Sequence, residues 1–177
     1  MTRPPSPYDH LPQVRSFALT SDDIADGETL APRHRSRSFG AGGEDVSPHL
    51  RWSGFPRETK SFAVTCFDPD APTGSGFWHW AVANIPAAVT EFETDAGDPD
   101  AGKLPAGAIV LKGDAGVARF VGAAPPAGHG PHRYIFAVHA LDVDALPIDE
   151  TVTPALLGFS MFGRTIARAL ITPIYEA

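Results

Sequence analysis

The stretch SFAVTCFDPDAP (residues 61–72) decides the fold of this chain. Its first seven residues send mostly apolar side chains to both sides of an extended backbone, which is typical of a central strand. The end of the stretch forms a rigid turn because each proline ring fixes one backbone dihedral. The sequence therefore predicts a buried strand that ends in two carboxylates, Asp68 and Asp70. In a second interpretation, these carboxylates only stabilise the turn.

Two histidines lie beside other predicted strands. His79 stands between two tryptophans at the start of a strand at 80–85, and His132 precedes a strand at 134–141. Each histidine alone is more typical of a structural side chain than of a functional one. Because strand ends hold side chains more firmly than free loops, we expect Asp68 and both histidines to wall one small polar pocket. Such a pocket would bind an anion and perform no covalent chemistry.

Shorter elements complete the predicted domain. Residues 1–14 are rich in proline and predict an extended arm, while 15–177 predict a single domain. Short strands are predicted at 15–19, 47–52, 108–112 and 118–121, and a surface loop at 91–103.

The last predicted element is a helix. Thr153 can cap its first turn, and Pro154 suits the first helical position. A stripe at helical spacing then follows, made of Leu156, Phe159, Gly163, Ile166 and Leu170. Several strands separated by short turns, with one late helix, predict a mostly-β sandwich.

Composition limits the functional classes. The net charge of −7 argues against a protein that coats nucleic acid, which needs a surplus of lysine and arginine. Cys66 is the single cysteine, so no disulfide can form within the chain. No apolar run is long enough to span a bilayer, and the first residues lack the apolar core of a secretory signal. We therefore expect a cytoplasmic protein.

Other chemistries have weaker support. His129 and His132 have a short spacing, but Pro131 opposes the helix that would place both on one face, and no cysteine pair accompanies them. Residues 158–162 resemble a nucleophile elbow but have Phe162 where the second glycine belongs. We expect no metal and no cofactor. A phosphoesterase that uses the histidines and Asp68 for acid–base catalysis is the alternative function.

Three motifs resemble one known family. Residues 68–72 (DPDAP), Trp78-His79, and the segment from Gly122 through Pro125-Pro126 to His132-Arg133-Tyr134 resemble the phosphatidylethanolamine-binding protein family, which includes Raf kinase inhibitor protein. Residues 47–52 (SPHLRW) are similar to its bacterial branch. The resemblance implies a Greek-key antiparallel β-sandwich, with a few short helices and a C-terminal helix, and a small anion pocket at one end.

The resemblance also implies a site and partners. The site residues would be Asp68, Asp70, His79, Ala124, Pro126, His132 and Tyr134. The ligand would be a small anionic or phosphorylated group, such as a phospholipid head group, a phosphopeptide or a nucleotide. A protein kinase or protease is an implied partner, and a homodimer is the implied assembly.

A mechanism of binding follows from these expectations. A phosphate would lie between His79, His132 and backbone N–H groups near Ala124 and Pro126. Asp68 would orient one imidazole and favour its charged form. Anion affinity would then weaken between roughly pH 6 and 8.5 as the histidines lose their protons.

Overall fold

The computed structural model describes residues 4–177. They form short strands, one α-helix and three single-turn 3₁₀ helices, at Pro7–His10, Pro32–His34 and Pro99–Ala101. The longer elements are β1 (Arg15–Ser16), β2 (Ala18–Thr20), β3 (Leu50–Ser53), β4 (Ser61–Asp68), β5 (Phe77–Pro86), β6 (Glu91–Phe92), β7 (Ile109–Val110), β8 (His132–Arg133), β9 (Ile135–Leu141), α1 (Pro154–Met161), β10 (Thr165–Ile171) and β11 (Ile174–Tyr175). The prediction of a mostly-β fold is confirmed.

A six-stranded sheet organises the molecule, with strand order β1-β10-β9-β4-β5-β7. Strand β4 lies in the middle and is buried along its whole length, as its apolar sequence predicted. Val64 pairs with Val82 of β5 on one side and with Val138 of β9 on the other. These pairs are antiparallel, whereas β1 runs parallel to β10.

The two faces of this sheet have different coverings. Phe62, Val64 and Cys66 belong to the main core, which also includes Trp52 of β3 and Phe92 of β6. Strands β2, β3 and β6 form a separate three-stranded sheet. On the other face, small side chains of β4 and β5 pack with residues of α1. This smaller cluster includes Ala63, Ala81, Leu141, Leu157 and Met161.

The predicted helix is correct at its start and wrong at its end. Thr153 caps it, since its hydroxyl oxygen accepts the Leu156 N–H at 3.2 Å. The helix ends at Met161, and Gly163 turns the chain with a φ of +74°. Residues Thr165–Ile171 are strand β10, paired with β9. The stripe misled because a spacing of four is even, so Ile166 and Leu170 share a face in a strand as they do in a helix.

Three other expectations are corrected. The arm at 1–14 is not extended throughout, because Pro7–His10 form a 3₁₀ turn that buries Tyr8; residues 1–3 lie outside the described part. Residues 118–121 form no strand. The loop at 91–103 begins with strand β6, whose Phe92 is buried among the core aromatics. In the first and third cases a buried aromatic, Tyr8 or Phe92, holds the segment in place, and its contacts are not visible in the local sequence.

Candidate ligand-binding site

A cavity of about 230 Å³ lies at the end of the sheet, where β4 ends and β8 begins. We call it the histidine cavity. Its lining residues are Phe39, Asp68, Ala71, Pro72, Thr73, Phe77, His79, Gly122, Ala124, Pro125, Pro126, His132 and Tyr134. The structure therefore brings together six of the seven residues named from the sequence, and Asp70 is not among the lining residues.

A β-bulge aims His79 into the cavity. Cys66 pairs with Trp80, but the next residue of β4, Phe67, pairs with Trp78, so His79 is an extra residue in β5. A bulge of this kind interrupts the alternation of the strand and redirects a side chain. Trp80 consequently enters the main core while its neighbour His79 lines the cavity.

The imidazole of His79 has one satisfied nitrogen and one unsatisfied nitrogen. Its Nδ1 lies 2.8 Å from the Val121 carbonyl oxygen, which fixes Nδ1 as the protonated donor. Its Nε2 is buried and has no hydrogen-bond partner within residues 4–177. Burial lowers the pKa of His79, a shift that the nearby Asp68 carboxylate partly opposes. At neutral pH the ring is therefore uncharged, and Nε2 presents a lone pair.

The hydroxyl of Tyr134 is a second unsatisfied group on the same cavity. It is buried without a hydrogen-bond partner in the described part of the chain. Its ring meets that of His79 edge to face, with 5.2 Å between centroids. Burial raises the pKa of Tyr134, and the charge of Asp68 raises it further, so the hydroxyl keeps its proton. Because buried polar groups nearly always have partners, two adjacent unsatisfied ones indicate a place for a ligand or water.

Asp68 and His132 are held by the protein itself. His132 Nδ1 donates to Asp68 Oδ2 at 2.7 Å, and Asp68 Oδ1 accepts the Asp70 N–H at 2.7 Å. The other nitrogen of His132, Nε2, lies 2.7 Å from Nδ1 of His129. Both nitrogens of His132 are thus engaged, and Asp68 orients this imidazole rather than that of His79.

His129 joins the site although the sequence pointed to it only as a poor metal ligand. The segment around it turns through Gly128 and Gly130, both with positive φ, which brings the side chains of His129 and His132 into contact. Within residues 4–177 no group of three or more histidine, cysteine, aspartate or glutamate side chains is arranged to hold a metal ion.

Asp70 has a structural partner. Its carboxylate accepts two hydrogen bonds from the Arg133 guanidinium, both at 2.8 Å, and one from the Arg133 backbone N–H at 2.9 Å. Both side chains are largely buried. This bidentate pair ties the turn after β4 to strand β8, which holds His132 beside Asp68. The sequence could not separate the roles of the two aspartates because both follow the same strand end.

Backbone contacts position the wall that contains Ala124. The Gly122 N–H donates to Asp45 Oδ1 at 2.8 Å, and the Ser36 N–H donates to the Ala123 carbonyl at 2.8 Å. A Cβ on Gly122 would lie 2.3 Å from the carbonyl carbon of Arg35, so only glycine fits this approach.

Two phenylalanines that the sequence analysis missed border the cavity. Phe39 and Phe77 pack edge to face with 6.2 Å between ring centroids, and Phe39 remains 57% exposed. They add an apolar rim to the polar interior. No sequence signal marks Phe39, which lies in a loop more than thirty residues before Phe77.

The chain has clear relatives. The sequence profile of the family described as phosphatidylethanolamine-binding protein matches residues 20–176. YbcL of Escherichia coli is 51% identical over 164 residues, which cover 93% of this chain and 90% of YbcL. YbhB of the same organism is 44% identical over 158 residues, which cover 89% of this chain and 99% of YbhB.

Solved structures agree with the sequence matches. The crystal structure of YbcL, described as a new member of the mammalian PEBP family, has a TM-score of 0.88 and covers 92% of this chain and 99% of its own. A putative phosphatidylethanolamine-binding protein homologue from Chlamydia trachomatis has a TM-score of 0.76 at 29% identity, with the same coverage. No helix in residues 4–177 is long and apolar enough to cross a membrane.

Proposed function

The chain belongs to the phosphatidylethanolamine-binding protein family, and from that premise we propose that its histidine cavity binds a small phosphate-containing group without covalent chemistry. The observation that carries the proposal is the pair of buried, unsatisfied polar atoms, His79 Nε2 and the Tyr134 hydroxyl, on one cavity wall. A phosphate can satisfy both at once because its oxygens accept hydrogen bonds and its protonated form also donates one.

The two atoms have opposite hydrogen-bonding roles toward a ligand. Tyr134 keeps its proton and donates to a phosphate oxygen. His79 is neutral and accepts through Nε2, so a fully ionised phosphate oxygen cannot bind there until a proton arrives. The sequence led us to expect a charged histidine in the free protein. Because burial keeps His79 neutral, the proton is instead taken up together with the ligand.

Proton uptake sets the pH dependence. A phosphate monoester loses its second proton near pH 6, so above roughly pH 7 both the free ligand and the free His79 lack the proton that the complex holds. Affinity should therefore fall about tenfold per pH unit above that point. A phosphodiester, which has no proton to lose in this range, leaves the same requirement to His79 alone.

Titration calorimetry with O-phosphoethanolamine tests the proposal. Tyr134→Phe removes one donor and should weaken binding about tenfold or more, because a hydrogen bond to a charged group contributes roughly 1.5–3 kcal/mol. Tyr8→Phe, which removes a different buried tyrosine hydroxyl, is the matched control and should bind like wild type. Equal affinities of wild type and Tyr134→Phe, or an affinity that is flat between pH 7 and 8.5, would contradict the proposal.

Binding without catalysis is the second part of the proposal. The best candidate for a general base is His79 Nε2. In the described chain no hydroxyl or thiol nucleophile lies within hydrogen-bond reach of this nitrogen. Hydrolysis of p-nitrophenyl phosphate by wild type and His79→Ala separates the two functions. We expect no turnover that depends on His79, and turnover lost in the variant would favour the phosphoesterase.

Protein partners, assembly and location complete the proposal. We keep a protein kinase or protease as a candidate partner, with a homodimer as the assembly and the cytoplasm as the location. Light scattering measures the assembly directly. Pull-down by wild type but not by Tyr134→Phe would place a partner at the histidine cavity, and equal pull-down would place it elsewhere.

A further inference from the structure

A second and larger cavity lies on the other face of the six-stranded sheet. Its volume is about 330 Å³, and we call it the arginine cavity. Of the residues that the structure describes, none lines both this cavity and the histidine cavity. Its apolar wall comes from the N-terminal segment, β5, and α1 with the turn that follows: Pro7, Leu11, Pro12, Val14, Trp78, Met161 and Phe162.

One end of the arginine cavity is polar. Thr65 of β4, His139 of β9 and Arg168 of β10 line it together, because these neighbouring strands send the three side chains to the same face. Tyr8 closes this end, with its ring 4.9 Å below the Arg168 guanidinium and its hydroxyl 3.5 Å from Thr65 Oγ1.

The guanidinium of Arg168 lacks a counter-charge. It is half-buried, and within residues 4–177 no carboxylate lies within salt-bridge distance of it. Its Nε donates to His139 Nδ1 at 3.3 Å, and neither of its terminal nitrogens has a hydrogen-bond partner in the described chain. The planar fork of an arginine matches a carboxylate with two parallel hydrogen bonds, so these terminal nitrogens suit a carboxylate ligand.

The titratable side chains next to Arg168 are uncharged at neutral pH. Burial lowers the pKa of His139 to about 3, so its ring is neutral and accepts from Arg168. Burial also raises the pKa of Tyr8, which keeps that hydroxyl neutral. Among the described residues that line the arginine cavity, Arg168 is therefore the one that carries a charge at neutral pH.

We propose that the arginine cavity binds a hydrophobic carboxylate of medium chain length, with the carboxylate on Arg168 and the chain along the apolar wall. If each non-hydrogen atom of a ligand occupies about the volume of one water molecule, ~30 Å³, the cavity holds a molecule on the order of ten non-hydrogen atoms. Octanoate has that size. Its charge complements Arg168, and its chain suits the side chains contributed by Leu11, Met161 and Phe162.

Trp78 provides the measurement, since it lines this cavity and not the other. Octanoate, below its micellar concentration, is titrated into the full chain and followed by tryptophan fluorescence and calorimetry. Octanol is the uncharged probe of the same length. We expect saturable binding of one octanoate per chain, at least tenfold weaker in Arg168→Gln, with octanol affinity changed less than twofold by that variant. Arg164→Gln, an exposed arginine outside the cavity, is the matched control.

A second variant keeps the test independent of folding effects at Arg168. Gly158 lines the cavity from α1, has no positive φ, and has open space where a Cβ would lie, so Gly158→Leu fills the cavity without strain. It should abolish binding of both probes while leaving O-phosphoethanolamine affinity unchanged. Octanoate affinity that is equal in wild type and both variants would overturn the proposal. So would a dimer that occupies this face and leaves octanoate unbound.

Discussion

His139 should make the stability of this protein depend on pH. The residue is 3% exposed, and its ring lies against Tyr8, Thr65 and Arg168, none of which carries a negative charge at neutral pH. Burial and the adjacent guanidinium both disfavour the imidazolium and lower its pKa to about 3. In the unfolded chain the same imidazole titrates near 6.5.

The sign and size follow from that difference. Below about pH 6.5 the unfolded state takes up a proton that the folded state cannot. The contribution of the neutral His139 to the free energy of unfolding is therefore fully present above this pH and is lost as the pH falls. Each unit of pH between 6.5 and 3 then removes about 1.4 kcal/mol. From pH 7.5 to 5.0 the contribution of His139 falls by about 2 kcal/mol.

Urea unfolding at both pH values measures this loss in wild type and in His139→Asn, whose side-chain oxygen can still accept from Arg168. The buried histidines His34 and His79 also have lowered pKa values, but they contribute equally to both proteins. Wild type should lose about 2 kcal/mol more than the variant. A difference under about 0.5 kcal/mol, or a larger loss in the variant, would refute the assignment of a neutral buried His139.

Three substitutions test other parts of the account. Gly122→Ala should destabilise the protein by about 3 kcal/mol in urea unfolding, because its Cβ meets the Arg35 backbone; Gly74→Ala, in open space, should change stability little. Asp70→Asn should lower the free energy of unfolding by about 2 kcal/mol because it breaks the bidentate pair with Arg133. Stability equal to that of wild type would show that the pair does not stabilise the protein. Tyr134→Phe should not destabilise the ligand-free protein, since it removes an unsatisfied buried hydroxyl; a loss above about 1 kcal/mol would reveal an existing partner.

Local patterns were sufficient for the strands that are buried on both faces. The side chains of the segments at 61–67 and 134–141 are mostly apolar on both faces, with Thr65 and His139 among the exceptions, and both segments form central strands. The pattern failed at 163–171, where a helical stripe and a strand face coincide, and the choice was made by hydrogen bonds to β9. That partner lies some thirty residues away in the sequence, so no local window contains it.

The site was predictable in membership but not in geometry. The proline-fixed turn after β4 and the histidines beside strands pointed to residues that the structure places around one cavity. The bulge that redirects His79, the pairing of Asp70 with Arg133 and the contact of His129 with His132 depend on register and on turns between distant segments. The protonation states depend on burial, which lowers the pKa of His79 and keeps this ring neutral, whereas the sequence led us to expect one charged histidine.

The most direct test of the histidine cavity is the nitrogen NMR signal of the His79 imidazole during titration with O-phosphoethanolamine at about pH 7. In the free protein we predict a neutral ring with its proton on Nδ1 and a bare Nε2. At saturation Nε2 should acquire a proton or a donated hydrogen bond, while His139 stays unchanged. A free ring that is already charged, or an Nε2 signal that the ligand does not move, would contradict the account.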